Sequence, residues 1–478
     1  MNNHFKKIST LMLAVALMIF MLTACGGKTD DKKVEPTTAP TTAPVEAADT
    51  TDVPEEVPAT PTPTEAPKDL GGMSITVGDW WSPETASEPK NTKEEDTLAY
   101  REEIMDKYNF TIQQRNVGTW MEYQELVVTS IMTGDPLADV LVMDQAFLAA
   151  PLQQGLLYPL NTLENFDFTE EKWNPQVKEM MTFGDDIFGM ATGKMEPRLG
   201  IFWNKRLFEE AGLDPDLPYD LQAKDEWTWA AMEDIAKQLT RDLDNDGTPD
   251  VYGISSFSVD FFRGCVFSND AKFIGSKDGK FYNATSEGNF VEALEWGRGL
   301  YDKGYHMPQP VDSNWDWFIS TFTEGKVGMQ CAEEYKVNTW AAMEDDWGFV
   351  IFPKGPKGKM MTVFTENVVV MPANVDKEKS ENVAFAYNLY SNVTPGYEEE
   401  DWKQPYYSVF RDTRAVEETL PIFYEPEHGT ICMLNLVAGI GYGDITYALD
   451  AGEITAVESV EKVQTLWEPF INAVNGEE

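Results

Sequence analysis

Histidine, cysteine and positive charge are all scarce in this chain: 3 His, 4 Cys and 37 Lys+Arg among 478 residues. His4 lies in the N-terminal leader, so His306 and His428 are all that remain for a His-based catalytic or metal centre. Cys25 has a separate explanation, given below. Cys265, Cys331 and Cys432 form an odd set that cannot pair completely and has no zinc-ligand spacing, which predicts small buried thiols. Against so few cations stand 81 Asp+Glu, for a formal charge of -44. Such a surface repels nucleic-acid phosphates and anionic headgroups, so nucleic acid is excluded as a partner. No Walker A loop, G-x-S-x-G elbow, H-E-x-x-H or dinucleotide fingerprint occurs. The adjacent acids Glu333 and Glu334 are too close in sequence to supply the separation of a glycosidase couple. After the leader, no apolar run approaches the roughly 18 residues of a spanning helix.

What is present begins with an export signal: Lys6 and Lys7, an apolar stretch over residues 11–22, then Thr23-Ala24-Cys25. Leu22-Thr23-Ala24-Cys25 resembles the lipobox of bacterial lipoproteins. The resemblance implies a signal peptide over residues 1–24, a diacylglycerol on Cys25 and a place on the outer face of the cell membrane, held there by the lipid anchor alone. Residues 25–72 are rich in Thr, Pro and Ala, and no aromatic residue occurs between Gly26 and Lys68. Such a stretch cannot bury enough apolar area to offset its ordering entropy, and its prolines favour extended backbone. It reads as a disordered tether. The remaining 400 or so residues are too many for one core and suit two lobes of roughly 100–200 residues each.

Along the folded part, periods near 2 and near 3.6 alternate. Residues 74–78 read as a strand that delivers Asp79, Trp80 and Trp81 into a loop. Residues 97–108 read as a helix, 110–116 as a strand, 120–134 as a helix, and 138–143 as a strand covered on both faces. This order predicts an α/β fold with parallel sheets flanked by helices and ligand at the carboxyl ends of the strands.

The segment Phe202-Trp203-Asn204-Lys205-Arg206-Leu207-Phe208-Glu209-Glu210-Ala211-Gly212-Leu213 is similar to the Y-N-K-x-L-F-x-x-A-G-L signature of the extracellular solute-binding family 1 that serves carbohydrate ABC importers, maltose-binding proteins among them. Trp203 replaces the usual Tyr. Further likenesses follow in the same order: Trp227-Thr228-Trp229 before a helix, Phe322 to Met329, Trp347 to Pro356, and Asn367 to Asn374 followed by the helix over residues 381–390. The resemblance spans residues 73–475. It implies two Rossmann-like lobes joined by hinge crossings, of the periplasmic-binding-protein kind, with ligand between them. The crossings are expected near residues 194–199 and 362–367, with lobe one over 73–195 plus 364–415 and lobe two over 200–361 plus 416–475.

A sugar offers C–H groups on one face and hydroxyls at its rim, so aromatic plates flanked by carboxylates and amides suit it. Trp80 and Trp81 after the first strand, and Trp203 near the crossing, are the candidate plates. Phe261 and Tyr335 join them because maltose-binding relatives place stacking aromatics at corresponding positions. Asp144, Gln145, Glu366 and Asn367 are the candidate polar partners at strand ends, with Asp79, Glu333, Glu334 and Arg411 also suitably placed. Trp296, Trp317, Phe318, Phe322 and Trp467 fit helical packing and read as core, while Trp227, Trp315 and Trp340 stay open between the two roles.

Asp242, Asp244, Asp246, Gly247, Thr248 and Asp250 carry the spacing of a calcium loop, with Thr248 offering its carbonyl. Position twelve holds Gly253 in place of the bidentate Glu. A structural Ca²⁺ is expected.

The expectation is therefore a monomeric, non-enzymatic substrate-binding component that captures an oligosaccharide and delivers it to the permease subunits of an ABC importer. A neutral or basic sugar suits the acidic residues better than a uronate. A surface glycoside hydrolase, a sugar-sensing lipoprotein for a receptor kinase, and a peptide or polyamine ligand are the competing readings.

Overall fold

Alternating apolar residues put Ile75 and Val77 into the core from Met73–Asp79 (β1), the first strand in this computed structural model, which describes residues 68–83, 88–277, 279–314, 316–398 and 401–477. The leader, Cys25, Trp315 and most of the tether lie outside the described residues. Helix α1 (Thr92–Tyr108) starts earlier than its apolar period suggests, because the Asn91 side chain caps it by accepting the Glu94 N–H at 2.9 Å. Asn109 ends it in the left-handed region (φ 54°). Then follow β2 (Phe110–Asn116), α2 (Trp120–Thr133) and β3 (Val140–Asp144).

The chain crosses through β4 (Glu196–Pro197) into β5 (Leu199–Asn204), whose six residues are all buried. Lobe two continues with α3 (Trp229–Leu239), β6 (Tyr252–Ser256), α4 (Ser258–Ser268), α5 (Gly288–Asp302), β7 (Val327–Glu333) and β8 (Trp347–Ile351). It returns by β9 (Thr362–Thr365) to β10 (Asn367–Val370) and α6 (Lys377–Tyr390). After a further passage come β11 (Gly429–Ile431), α7 (Gly443–Asp450) and α8 (Ala456–Leu466).

Two four-stranded sheets form the lobes, in the orders β10-β3-β1-β2 and β8-β5-β7-β6. Both are mixed, where all-parallel sheets were expected. β10 runs antiparallel to β3, and β5 antiparallel to β7 and β8, because the chain enters each sheet there from the other lobe. A third sheet, β11-β9-β4, joins the lobes. In it the two expected crossings pair antiparallel, Phe364 opposite Pro197 and Thr365 opposite Glu196. The Arg198 N–H donates to the Val363 carbonyl at 2.9 Å and the Leu199 N–H to the Thr362 hydroxyl at 3.0 Å.

The boundary expected at residue 415 is corrected. Tyr397 still belongs to lobe one, its hydroxyl donating to the Asp96 carboxylate at 2.7 Å. Phe410 packs on Phe349 of β8 at 5.6 Å, Arg411 donates to the Ala341 carbonyl, and Asp412 pairs with Lys205 at 2.5 Å. A third passage thus lies between Tyr397 and Phe410, and the segment after it is part of lobe two. Cys265, Cys331 and Cys432 are buried free thiols, the small buried thiols expected from an odd set without zinc-ligand spacing. Among the described residues no helix is long and apolar enough to cross a membrane.

Candidate functional site

Between the lobes lies a cleft of ≈ 1180 Å³, with the residues after β1, β3, β6 and β7 on its walls and hinge residues Arg198, Thr365 and Asn367 at its junction. Strand carboxyl ends and the first residues after them meet there, where α/β sheets place ligands.

On the lobe-one wall the Trp80 and Trp81 rings meet edge to face at 4.6 Å, and Trp80 meets Trp120 at 5.3 Å. Trp81 remains 47% exposed and Trp120 44%. Fully buried Asp79 builds this wall. One of its oxygens accepts the backbone N–H groups of Trp81 (3.1 Å) and Ser82 (2.9 Å), while the other accepts the Ser82 hydroxyl and the Gln114 amide (2.7 Å). The turn that aims the indoles is therefore hydrogen-bonded from inside the lobe.

On the lobe-two side Tyr335 is 42% exposed, with the Arg198 guanidinium over its ring at 5.0 Å. Arg263 pairs with Asp260 at 3.3 Å and lies over the Tyr442 ring at 5.0 Å. Tyr447 closes this wall and is 58% exposed. Asp444 accepts the Trp467 indole N–H and the Gly441 N–H, both at 2.9 Å, which fixes the start of α7.

Carboxylates outnumber cations in the cleft. Arg198 and Arg263 stand among Asp144, Asp260, Glu333 and Asp444. Burial raises the Asp144 carboxyl above its ordinary range, against the Ala146 N–H it accepts and the nearby Arg198. Burial and then Glu333 raise Asp260, with Arg263 opposing. At the hinge, burial pushes Glu334 up to about 7, and burial followed by the neighbouring Glu196 pushes Glu366 up to about 8.

Of the residues expected from sequence, Trp80, Trp81, Asp144, Tyr335 and Asn367 line the cleft. Asp144 and Asn367 stand opposite each other in the β3–β10 pair. Four others do not line it. Trp203 is wholly buried in lobe two, its N–H donating to the Pro215 carbonyl at 2.8 Å and its ring packing on Tyr219 at 4.6 Å. It faces Gly348 across β5–β8, where a Cβ would lie 2.2 Å from the indole. Phe261 is buried on the inner face of α4, 5.0 Å from the His306 ring. Gln145 turns inward between Asp144 and Ala146, and its buried amide nitrogen has no hydrogen-bond partner. Glu366 alternates with Thr365 and Asn367, so it sits on the other side of the hinge strand near Glu196.

Asp79 acts behind the wall, Glu333 lines it, and Arg411 is tied to lobe two away from it. Trp227 and Trp340 are core. Trp120, Arg198, Asp260, Arg263 and Tyr447 line the cleft although no motif marks them. Position alone could have found Trp120, since it opens the helix after β2 and helix starts adjoin strand carboxyl ends.

In the acidic loop, carboxylate oxygens of Asp242, Asp244 and Asp250 lie within 4.8 Å of one another. Asp242 accepts the N–H groups of Asn245 (2.7 Å) and Gly247 (2.8 Å), and Asp250 accepts that of Leu243 (2.7 Å). Asp246 stands outside this triple and accepts the Thr248 N–H at 2.7 Å.

The sequence profile of the bacterial extracellular solute-binding proteins matches residues 99–394. A search of curated proteins finds no match. Among solved structures, the fold is similar to an ABC substrate-binding protein from Listeria monocytogenes in complex with cycloalternan: 16% identity, 85% of this chain and 100% of that one, TM-score 0.57. It is similar to the GacH receptor of Streptomyces glaucescens, solved unliganded and with acarbose: 15% identity, 85% and 100% covered, TM-score 0.59. A third is the cyclic alpha-maltosyl-1,6-maltose binding protein from Arthrobacter globiformis, at 18% identity, 84% and 99% covered, TM-score 0.59. With its two-lobed α/β fold, its interlobe cleft and a family match over most of its folded length, this chain belongs to the bacterial extracellular solute-binding proteins.

Proposed function

We propose that the protein is the receptor of a carbohydrate ABC importer, which captures a soluble oligosaccharide in the interlobe cleft and delivers it unchanged to the permease. The observation that carries this reading is the pair of exposed plates Trp81 and Trp120 on one wall with Tyr335 on the other. Water-exposed aromatic faces in a concave site suit sugar C–H faces, and Asp144, Asn367, Arg198 and Asp260 offer acceptors and donors to the hydroxyl rim. The excess of carboxylates over arginines suits a neutral or basic oligosaccharide better than an anionic one. The relatives named above bind cycloalternan, acarbose and a cyclic maltosyl-maltose by their own descriptions, which supports the ligand class. The hinge sheet β11-β9-β4 gives the lobes a place to pivot, and closure is favoured by as much as the ligand prefers the closed form.

Cys25 carries the lipid in this reading, the Thr/Pro-rich stretch is the tether, and the receptor works as a monomer on the outer face of the membrane. Asp242, Asp244 and Asp250 would hold a structural Ca²⁺, with Asp246 and the Thr248 carbonyl completing the oxygen set. Their clustered oxygens fit a hard cation. The test is a thermal-shift screen of the protein against an oligosaccharide panel, in which specific ligands raise the midpoint by mass action. Cys25→Ser should release the protein from the membrane fraction without altering binding. A panel without any responder contradicts the ligand class, and membrane retention of the Cys25→Ser protein contradicts the anchor.

A further inference from the structure

Beside the cleft lies a second chamber of ≈ 750 Å³, on the outer side of β6. Phe257 and Tyr447 line both spaces. One face of α7 connects them: Gly443 and Tyr447 line the cleft, and Tyr447, Asp450 and Ala451 line the chamber. These positions recur at helical spacing, so they form a continuous stripe. At 1.5 Å per residue the stripe from Gly443 to Ala451 runs about 12 Å.

The chamber is built rather than a loose crevice. His306 stacks on Tyr301 with ring centroids 3.9 Å apart. Its Nδ1 donates to the Met307 carbonyl, and its Nε2 accepts from the Ser256 hydroxyl, both at 2.9 Å, so the ring is fixed in one tautomer. Burial pushes this imidazole down to about 3, which keeps it neutral. Arg298 donates to the carbonyls of Leu449 and Asp450, at 3.2 and 2.6 Å, and so pins the end of α7 to α5. The resulting wall combines the apolar edges of Pro308 and Pro310 with the Gln309 amide and the Asp450 carboxylate. Phe257 and Tyr447 stand at the passage, suited to sugar faces in the same way as the indoles of the cleft.

We infer that the bound saccharide continues from the cleft past Tyr447 into this chamber, so that the protein selects chains longer than the cleft alone can hold. This rests on the oligosaccharide reading above. A calorimetric titration with maltooligosaccharides and mannooligosaccharides of increasing length tests it, on the wild type, on Ala451→Trp, which fills the chamber without touching the cleft, and on Gln309→Ala, an exposed and conservative truncation. Affinity should rise by about tenfold or more between the shortest and the longer members that bind. Ala451→Trp should keep the affinity for short members and lose the rise, and Gln309→Ala should lose part of it. Affinity that levels off at the shortest binders, or an identical ladder in all three proteins, overturns the inference while leaving oligosaccharide capture intact. Failure of every saccharide to bind overturns both.

Discussion

The carboxylate of Asp79 accepts the backbone N–H of Trp81 at 3.1 Å from a position sealed off from solvent, so the aim of an exposed indole is set by a buried acid two residues before it. Asp79→Ala leaves the Gln114 amide and two backbone N–H groups without this partner. We expect a loss of about 1–3 kcal/mol in stability and a weaker ligand interaction. Thermal denaturation and calorimetry measure the two effects, and Asp79→Asn should show a milder form of both. Unchanged affinity in a folded Asp79→Ala protein would separate the acid from the site.

Trp81 and Trp203 should respond in opposite ways. Trp81→Ala removes an exposed plate, so affinity should fall by about tenfold or more while stability changes little. Trp203→Ala opens a void opposite Gly348 in the lobe core, which should cost about 3–5 kcal/mol in stability without loss of affinity in the fraction that remains folded. Chemical denaturation beside titration distinguishes them.

This contrast shows where the sequence was readable and where it was not. The β–α alternation places β1 to β3 and α2 within a few residues, because period, capping and turn residues are local, whereas the two hinge crossings are expected only from the family resemblance. Trp80, Trp81, Asp144 and Asn367 follow from the same local logic, since each directly follows or flanks a strand end. Trp203 also lies near a strand end, but β5 is buried on both faces, so alternation carries no information about which side meets solvent. The glycine that accommodates its ring is 145 positions later by sequence number. Phe261 has the same ambiguity on α4, whose inner face is crowded by rings of α5 and the residues after it. Arg263, Tyr442 and Tyr447 come together only through the packing of C-terminal helices on lobe two, which no spacing records.

Glu366 gives a pH dependence. Its folded-state carboxyl is raised to about 8 from an ordinary value of 4.5. Between these values the unfolded chain has released the proton while the folded protein retains it, so stability falls as pH rises through that window and levels off above it. Glu334, raised to about 7, adds to the same slope. Glu366→Gln should flatten the decline in thermal midpoint from acid to mildly alkaline pH. An equally steep decline in that variant assigns the slope to other groups.

Calcium should raise the thermal midpoint, with a stabilisation of about 2.7 kcal/mol at a hundredfold excess over its dissociation constant. Chelation should reverse the rise, and Asp242→Asn or Asp244→Asn should abolish it while leaving saccharide affinity in place. A midpoint indifferent to calcium in the wild type removes the metal from the account.

Calorimetric titration of the protein with oligosaccharides, followed by mass spectrometry of the recovered ligand, bears most directly on capture in the cleft. The account predicts saturable one-to-one binding, a blue shift or quench of tryptophan emission that is lost in Trp81→Ala, and a ligand recovered at its original mass. Shortened saccharide, or titrations in which no oligosaccharide gives heat or a fluorescence change, would contradict it.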